Sequence, residues 1–305
     1  MFSDSHGEGA HLSSNLQLQQ FPIFNPAPAN QQAYADHGES PRLQSFEAYR
    51  NTCSGPVLIV ASGPSTKAFP LERFRHIPMM AMNGSICRFA QVGIRPRFYL
   101  CDDSSFVRNR LPWMIQASGL AEHMVLSPRV IDTLLGLECH ALDGRSVFRF
   151  ERAGRCVEGG GEISPRRFAW RIRNDADFEC SFSLWRQKPN RIGFSRNMSK
   201  GYFNGRTIPY AAIQLACHLG YEQVFLLGVE LDSCAGRFYE CAETAVPSRI
   251  DGDYDEYILP SFQLLADKVI NPQFQVFNLA GSGRLPEQLV PRVALDQFEA
   301  MLARA

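Results

Sequence analysis

None of the nine cysteines in this 305-residue sequence forms a CxxC pair, and none of the seven histidines forms an HxxxH pair. Those absences argue against zinc ribbons, thioredoxin-type redox sites and the common metal-ligand spacings. An odd number of cysteines without a framework suits reduced thiols, so a cytoplasmic setting is expected. No apolar run approaches the roughly 18 residues of a membrane span. The first residues also lack the basic-then-apolar pattern of a secretory signal. Formal net charge is +0, so nothing global advertises nucleic acid. There is no Walker loop and no full dinucleotide glycine fingerprint. What is present is a 45% hydrophobic chain, long enough for one large α/β domain or two unequal lobes.

The organising stretch is Pro56-Val57-Leu58-Ile59-Val60-Ala61-Ser62-Gly63-Pro64-Ser65. Val57 to Ala61 is too short for a helix and rich in β-branched residues, which predicts a buried strand. It stops in a turn of small residues. Gly63 lets backbone pass close to a ligand, and Ser62 and Ser65 offer hydroxyls and N–H groups to phosphate oxygens. The alternative is an ordinary strand-to-helix turn.

Residues 1–45 are polar and rich in Gln, Asn, Ser and Pro, and are expected to form a mobile arm or strap. From 46 to 144 the pattern reads as the first half of a nucleotide-binding α/β domain. Met79–Met82 is a second strand, ending in Asn83-Gly84-Ser85, followed by a helix from Ile86 to Val92 that Gly93 closes. Arg97–Cys101 is a third strand, ending in Asp102-Asp103, and His123–Ser127 a fourth. The gaps between the strands are too long for hairpins and suit crossovers, so the sheet is expected to be parallel. Parallel strands put their carboxyl ends on one edge, where α/β folds bind ligands.

Residues 145–200 differ. The span 145–196 holds 12 Lys and Arg against six acids, a local +6 in a neutral protein, with Gly159-Gly160-Gly161 as a flexible loop. Aromatic residues, among them Phe168, Trp170, Phe178, Phe182 and Trp185, interleave with the arginines. This predicts a basic lid or insert. It is a solvated cover or a docking surface in which Arg166, Arg167, Arg171 and Arg173 bind a polyanionic acceptor; RNA binding is a third option that no recognisable motif supports.

Residues 201–305 read as the second half of the α/β domain. Thr207 is a good N-cap, Pro209 fits the first turn, Gly220 closes the helix, and Ile208, Ala211, Leu215 and Leu219 form one apolar stripe. Val224–Leu227 is a buried strand ending in Gly228-Val229-Glu230. A helix from Tyr257 to about Val269 and a strand from Gln275 to Asn278 follow. Asp251-Gly252-Asp253-Tyr254-Asp255 meets the Asp-x-Asp rule of metal-dependent glycosyltransferases. It also sits before a helix, where acids favour the dipole.

Several of these stretches, taken in order, resemble lipopolysaccharide core biosynthesis proteins of enteric bacteria that add an extra Kdo sugar. They are Ile59–Ser65, Met82–Ser85, Tyr99–Asp103, Gly193-Phe194-Ser195, Gly201-Tyr202, Thr207–Gln214, Arg237-Phe238-Tyr239, Asn278-Leu279 and Pro291. A more distant likeness is to bacterial sialyltransferases that use CMP-sialic acid. Both sugars are 2-keto-3-deoxy acids activated as CMP esters. The resemblance implies a Rossmann-like sheet with helices on both faces and no cofactor beyond the CMP-sugar donor. The CMP-sugar enzymes it resembles work without metal, and a divalent metal is not favoured here. The partners it implies are a CMP-activated sugar acid and a lipid A-core acceptor, and peripheral contact at the inner membrane surface is expected; the neutral charge and the lack of a recognisable motif speak against nucleic acid.

By the same resemblance Ser62, Gly63, Asn83, Thr207 and Gly228 would line the nucleotide pocket, and Pro64, Ser65, Gly84 and Glu230, at the same strand ends, are expected to join them. Tyr239 would touch the donor phosphate, and Arg237 is a sensible clamp for phosphate or carboxylate. Asp103 is the expected base, with Asp102 and Glu230 as alternatives. Sialyltransferases of that kind carry a histidine base after the final glycine-ended strand, whereas this chain has no histidine after His218. Two other classes stay open. One is a nucleotide-dependent enzyme of the pterin pyrophosphokinase type; the other is a non-catalytic protein of envelope assembly with the same fold.

Overall fold

The computed structural model describes residues 40–153, 163–240 and 250–304. The expected arm lies outside these up to residue 39, as does the glycine loop at 159–161. Among the described residues ten strands are formed: β1 (Arg42–Gln44), β2 (Pro56–Val60), β3 (Met79–Met82), β4 (Phe98–Cys101), β5 (His123–Leu126), β6 (Ser146–Arg149), β7 (Phe178–Cys180), β8 (Gly193–Ser195), β9 (Gln223–Leu227) and β10 (Gln275–Asn278). Eight make one sheet in the order β1-β6-β5-β4-β3-β2-β9-β10, and every pairing in it is parallel. The parallel α/β expectation therefore holds. β7 and β8 form a separate antiparallel pair.

The central strands alternate between two cores, as period-two side chains must when both faces are covered. Val57, Ile59, Met80, Met82, Phe98, Leu100, Val224 and Leu226 face one core, which includes most of the helix Ile208–Leu219. Leu58, Val60, Met79, Ala81, Tyr99, Cys101, Phe225 and Leu227 face the other, with residues of the helices Ile86–Val92, Leu111–Leu120, Pro128–Leu137 and Leu295–Leu302.

Some local expectations change. The sheet begins at Arg42, ahead of the compositional shift, because β1 pairs with β6 at its far edge. The helix Ile208–Leu219 is not amphipathic: Pro209 through Ala216, His218 and Leu219 are all buried. Its outer face is covered as well, with Tyr210 packing against Phe262 at 5.5 Å and Phe194 at 6.0 Å. Thr207 holds the N-cap position, but its side chain makes no capping bond. The helical stretch expected from Tyr257 starts earlier, at Ile250, and passes through a π-helical turn at Tyr254–Ile258. Among the described residues no helix is long and apolar enough to cross a membrane.

Candidate functional site

The chain runs outward from β2 through β3, β4, β5 and β6, then returns to place β9 on the other side of β2. The strand order reverses there, and such a reversal opens a crevice beyond the carboxyl ends of the strands. A cleft of about 630 Å³ occupies this place. Ser62, Gly63, Pro64, Asn83, Asp102, Asp103, Thr207, Gly228, Glu230, Arg237 and Tyr239 all line it.

The β2–β9 side is built by close packing. Gly63 donates its N–H to Gly228 O at 2.9 Å, and a Cβ on Gly63 would overlap the Glu230 carboxylate. Glu230 is only 5% exposed. Its Oε1 accepts the Ser65 N–H at 2.9 Å, while its Oε2 is buried with no hydrogen-bond partner among the described residues. The Ser65 hydroxyl accepts the Gly228 N–H at 3.1 Å. Ser65 therefore braces the turn from behind and does not line the cleft. A buried carboxylate already holds the N–H that the sequence offers to phosphate, and a second anion there would be repelled.

Asn83 adopts a left-handed conformation, φ 44°, at the end of β3. Gly84 next to it is buried under the Tyr239 ring, which would collide with any Cβ at that position. Tyr239 is held by Trp113 in an edge contact at 4.7 Å. Burial, against the opposing pull of Arg237 and Ser62, pushes its phenol up to about 12. The segment carrying it is tied to β2 by Phe238 N–H donating to Ser62 O at 3.0 Å, and Arg237 is ion-paired with Glu240 at 2.6 Å. The amino end of the helix Ile208–Leu219 also opens onto the cleft through Thr207, Ile208 and Pro209 and supplies positive potential.

The β4–β6 side is polar. Asp102 Oδ2 accepts from Arg152 Nη2 at 2.7 Å, the Tyr202 hydroxyl at 2.5 Å and Asn204 Nδ2 at 3.1 Å. Burial and the neighbouring Asp102 push the Tyr202 phenol well above its ordinary range, so it stays a proton-bearing donor. Asp103 is exposed, and its Oδ1 accepts the Ser105 N–H at 2.8 Å, which caps the helix Ser104–Asn109.

A second cavity of about 590 Å³ adjoins the first, and the two share Arg152, Tyr202, Asn204 and Arg206. Asn190, Arg191 and Phe168 are among its other walls. Arg166, Arg167, Arg171 and Arg173 line neither cavity. All but Arg173 lie in the helix Pro165–Ile172, and Arg173 follows as its C-cap. His218 is a core histidine, not a site residue: its Nδ1 accepts the Met198 N–H and its Nε2 faces Phe46 O at 2.8 Å. Asp251 is taken by Arg284 at 2.6 Å and by Ser233, while Asp253 sits 3.9 Å from Arg206.

Residues 44–296 match the family model described as 3-deoxy-D-manno-octulosonic acid transferase WaaZ. The chain belongs to this family. It is a transferase of glycosyl groups, as the resemblance in the sequence implied. A probable 3-deoxy-manno-octulosonic acid transferase of Escherichia coli K12 is 28% identical over 257 residues, covering 82% of this chain and 86% of that protein. One of the same description from Salmonella typhimurium LT2 is 27% identical over 248 residues, covering 79% and 88%. Among solved structures, the MAf glycosyltransferase of Magnetospirillum magneticum AMB-1 aligns with TM-score 0.45 and 14% identity; the alignment covers 88% of this chain but only 39% of that one. The Campylobacter jejuni sialyltransferase CstII, in complex with CMP-3FNeuAc, aligns with TM-score 0.37 and 12% identity over 77% of this chain and 87% of that one.

The transferase thus brings together most of the strand-end residues singled out from its sequence. The shared wall of Arg152, Tyr202, Asn204 and Arg206 escaped that reading, apart from the bare Gly201-Tyr202 likeness. The signal available was the run Gly201-Tyr202-Phe203-Asn204-Gly205-Arg206-Thr207, polar and glycine-bounded just ahead of a helix.

Proposed function

We propose that the transferase moves a Kdo-type sugar acid from a CMP-activated donor in the first cavity to a lipopolysaccharide inner-core acceptor reaching it through the second. The observation carrying this reading is the junction: two cavities of similar size meet at one set of polar side chains. The nucleoside packs on the β2–β9 side, where Ser62, Gly63, Pro64, Asn83 and Gly228 allow close approach, with Ser65, Gly84 and Glu230 as bracing. The buried Glu230 keeps the phosphate away from that turn. Phosphate then falls toward Thr207, Arg237 and Tyr239, where a helix amino end and a guanidinium stabilise the leaving charge.

The acceptor hydroxyl oxygen bonds to the anomeric carbon as the bond from that carbon to the phosphate oxygen breaks. CMP leaves with the electron pair, and the hydroxyl proton passes to Asp103. Asp102 is a second reading for the base, because its Oδ1 takes no hydrogen bond among the described residues while Oδ2 is fully engaged. The acceptor's acidic groups face Arg191 and Arg206. In this reading the enzyme works in the cytoplasm without a divalent metal.

Calorimetric titration with CMP, CDP, UDP, GDP and ADP tests the donor assignment. Selective binding of CMP supports it, and preference for ADP favours a pyrophosphokinase-type ligand. CMP release from a CMP-sugar, measured with and without acceptor, tests the chemistry; a folded protein that binds CMP but never releases it from the donor is the non-catalytic alternative.

A further inference from the structure

The part of the basic aromatic segment that turns away from both cavities carries an unusual surface. Trp185 is 92% exposed, Leu184 61% and Trp170 52%, and Phe182 is also exposed. These are most of the large hydrophobic side chains that stand out into solvent among the described residues. They are neighbours: the Trp170 and Phe182 rings lie 5.4 Å apart, and Leu184 and Trp185 continue the same loop.

The loop is built to hold them outward. Asn190, 1% exposed, accepts the Ser183 N–H with Oδ1 at 2.8 Å and donates through Nδ2 to Ser183 O and Arg186 O, each at 2.9 Å. The Ser183 hydroxyl accepts the Arg186 N–H at 3.0 Å. The backbone from 183 to 190 is thus pinned from inside by a buried amide, with Leu184 and Trp185 at its tip. A loop with so many internal bonds does not leave a tryptophan in water for want of a place to fold it.

Beside the apolar tip Lys188 is paired with Glu256, whereas among the described residues the arginines around it are not. Arg167, Arg171, Arg173 and Arg186 are exposed, and none pairs with a carboxylate among the described residues. Arg173 stacks on Trp170 at 3.9 Å. Among the described residues the acids nearby are paired with other bases: Asp175 with Lys200, Asp177 with Arg50 and Lys200, and Glu179 with Arg196.

We infer that this face docks the transferase on an anionic bilayer surface, with Trp185 and Leu184 entering the headgroup–acyl boundary and the arginines meeting lipid phosphates. Trp and Leu flanked by guanidinium groups match the amphipathic boundary of a bilayer. Unpaired arginines match an anionic leaflet. A second copy of the chain is disfavoured, since a two-fold contact through this patch would set arginines against arginines. The argument stands on the exposed surface alone, independently of which acceptor the cavities take.

The test is co-sedimentation of the full chain with phosphatidylglycerol/phosphatidylethanolamine vesicles and with phosphatidylcholine vesicles, at low and moderate salt. Binding to the anionic vesicles is expected, weakening with salt, with a blue shift in tryptophan emission. Leu184→Ser/Trp185→Ser should weaken vesicle binding by about tenfold or more while leaving melting temperature and calorimetric CMP binding unchanged. Arg167→Glu/Arg171→Glu/Arg186→Glu should remove the preference for anionic lipid. Failure of the wild-type chain to sediment with either vesicle overturns the inference, as does binding that the Leu184/Trp185 variant retains in full. A dimer in solution that dissociates in that variant also overturns it, assigning the patch to self-association. These readouts need no sugar transfer, so they stand apart from any failure of the donor or acceptor assignment.

Discussion

Two aspartates of this protein sit in nearly the same company. Asp102, at the cleft, is gripped by Arg152, Tyr202 and Asn204; Asp177, within the basic segment, is gripped by Arg50, Asn197 and Lys200. The difference lies in how the oxygens are used. Asp177 spends both: Oδ1 on Arg50 at 2.6 Å, Oδ2 on Asn197 at 3.1 Å and Lys200 at 2.8 Å. Among the described residues Asp102 takes all its partners on Oδ2, and it lines the cleft. A carboxylate satisfied on both sides holds chain segments together. One satisfied on one side is oriented and still has an acceptor to offer.

The comparison is broken or sharpened most strongly by removing charge at the cleft. Asp103→Asn keeps the shape and its Ser105 cap but cannot take a proton, so kcat should fall by about 10²–10⁴ with CMP affinity intact. Asp102→Asn should cost less in kcat, because its role is orientation, and should loosen Tyr202 and Asn204. Steady-state kinetics on both variants decides the order. If Asp102→Asn shows the larger loss and Asp103→Asn turns over normally, the free oxygen of Asp102 is the base.

Next in size is the packed wall. Gly63→Val drives side-chain atoms into Glu230 and the Gly228 carbonyl. Overpacking of this kind costs about 1–3 kcal/mol of stability, and the displaced turn loses its close backbone approach, so CMP binding should weaken in calorimetry. Unchanged affinity in a folded variant would move the nucleotide away from the β2 turn.

A smaller effect is expected at the polar wall. Tyr202→Phe deletes a hydrogen bond to a charged group, worth about 1.5–3 kcal/mol; with Arg152 and Asn204 still in place the lower end is expected in urea unfolding. A loss in kcat with no loss in stability would instead make the Tyr202 hydroxyl part of the chemistry.

These two walls also explain what was legible in the sequence. The packed wall announces itself locally: short apolar runs that end in Ser62-Gly63, Asn83-Gly84 and Gly228 give strand, turn and ligand edge together. Parallel order then brings those ends to one place with no further information. The polar wall is assembled from Asp102, Arg152, Tyr202 and Asn204, joined across 50 to 102 residues of chain. Nothing in the local pattern of Arg152 says it will reach Asp102. The basic segment shows the same limit. Its charge was plain, but which arginines turn to the cavities depends on how the helix Pro165–Ile172 packs on the residues around Arg191.

The smallest effect is expected at Asp177, and it is the one that isolates charge from shape. Burial pushes its carboxyl upward, but Lys200, Asn197 and Arg50 outweigh that and hold it down at about 2, below the ordinary carboxylate range. A depressed carboxylate stabilises the fold fully above its unfolded pKa and loses that contribution as pH falls through the folded value. The partners are partly open to water, Lys200 being 43% exposed in its side chain, so screening limits the pair to about 1 kcal/mol or less. Urea unfolding of the wild type and Asp177→Asn should therefore differ by up to that amount at pH 7. The gap should shrink between about pH 4 and pH 2, where the wild-type carboxyl takes up its proton. A gap that persists unchanged at pH 2 would mean that Asp177 contributes hydrogen-bond geometry instead of charge, and its contrast with Asp102 would then rest on position alone.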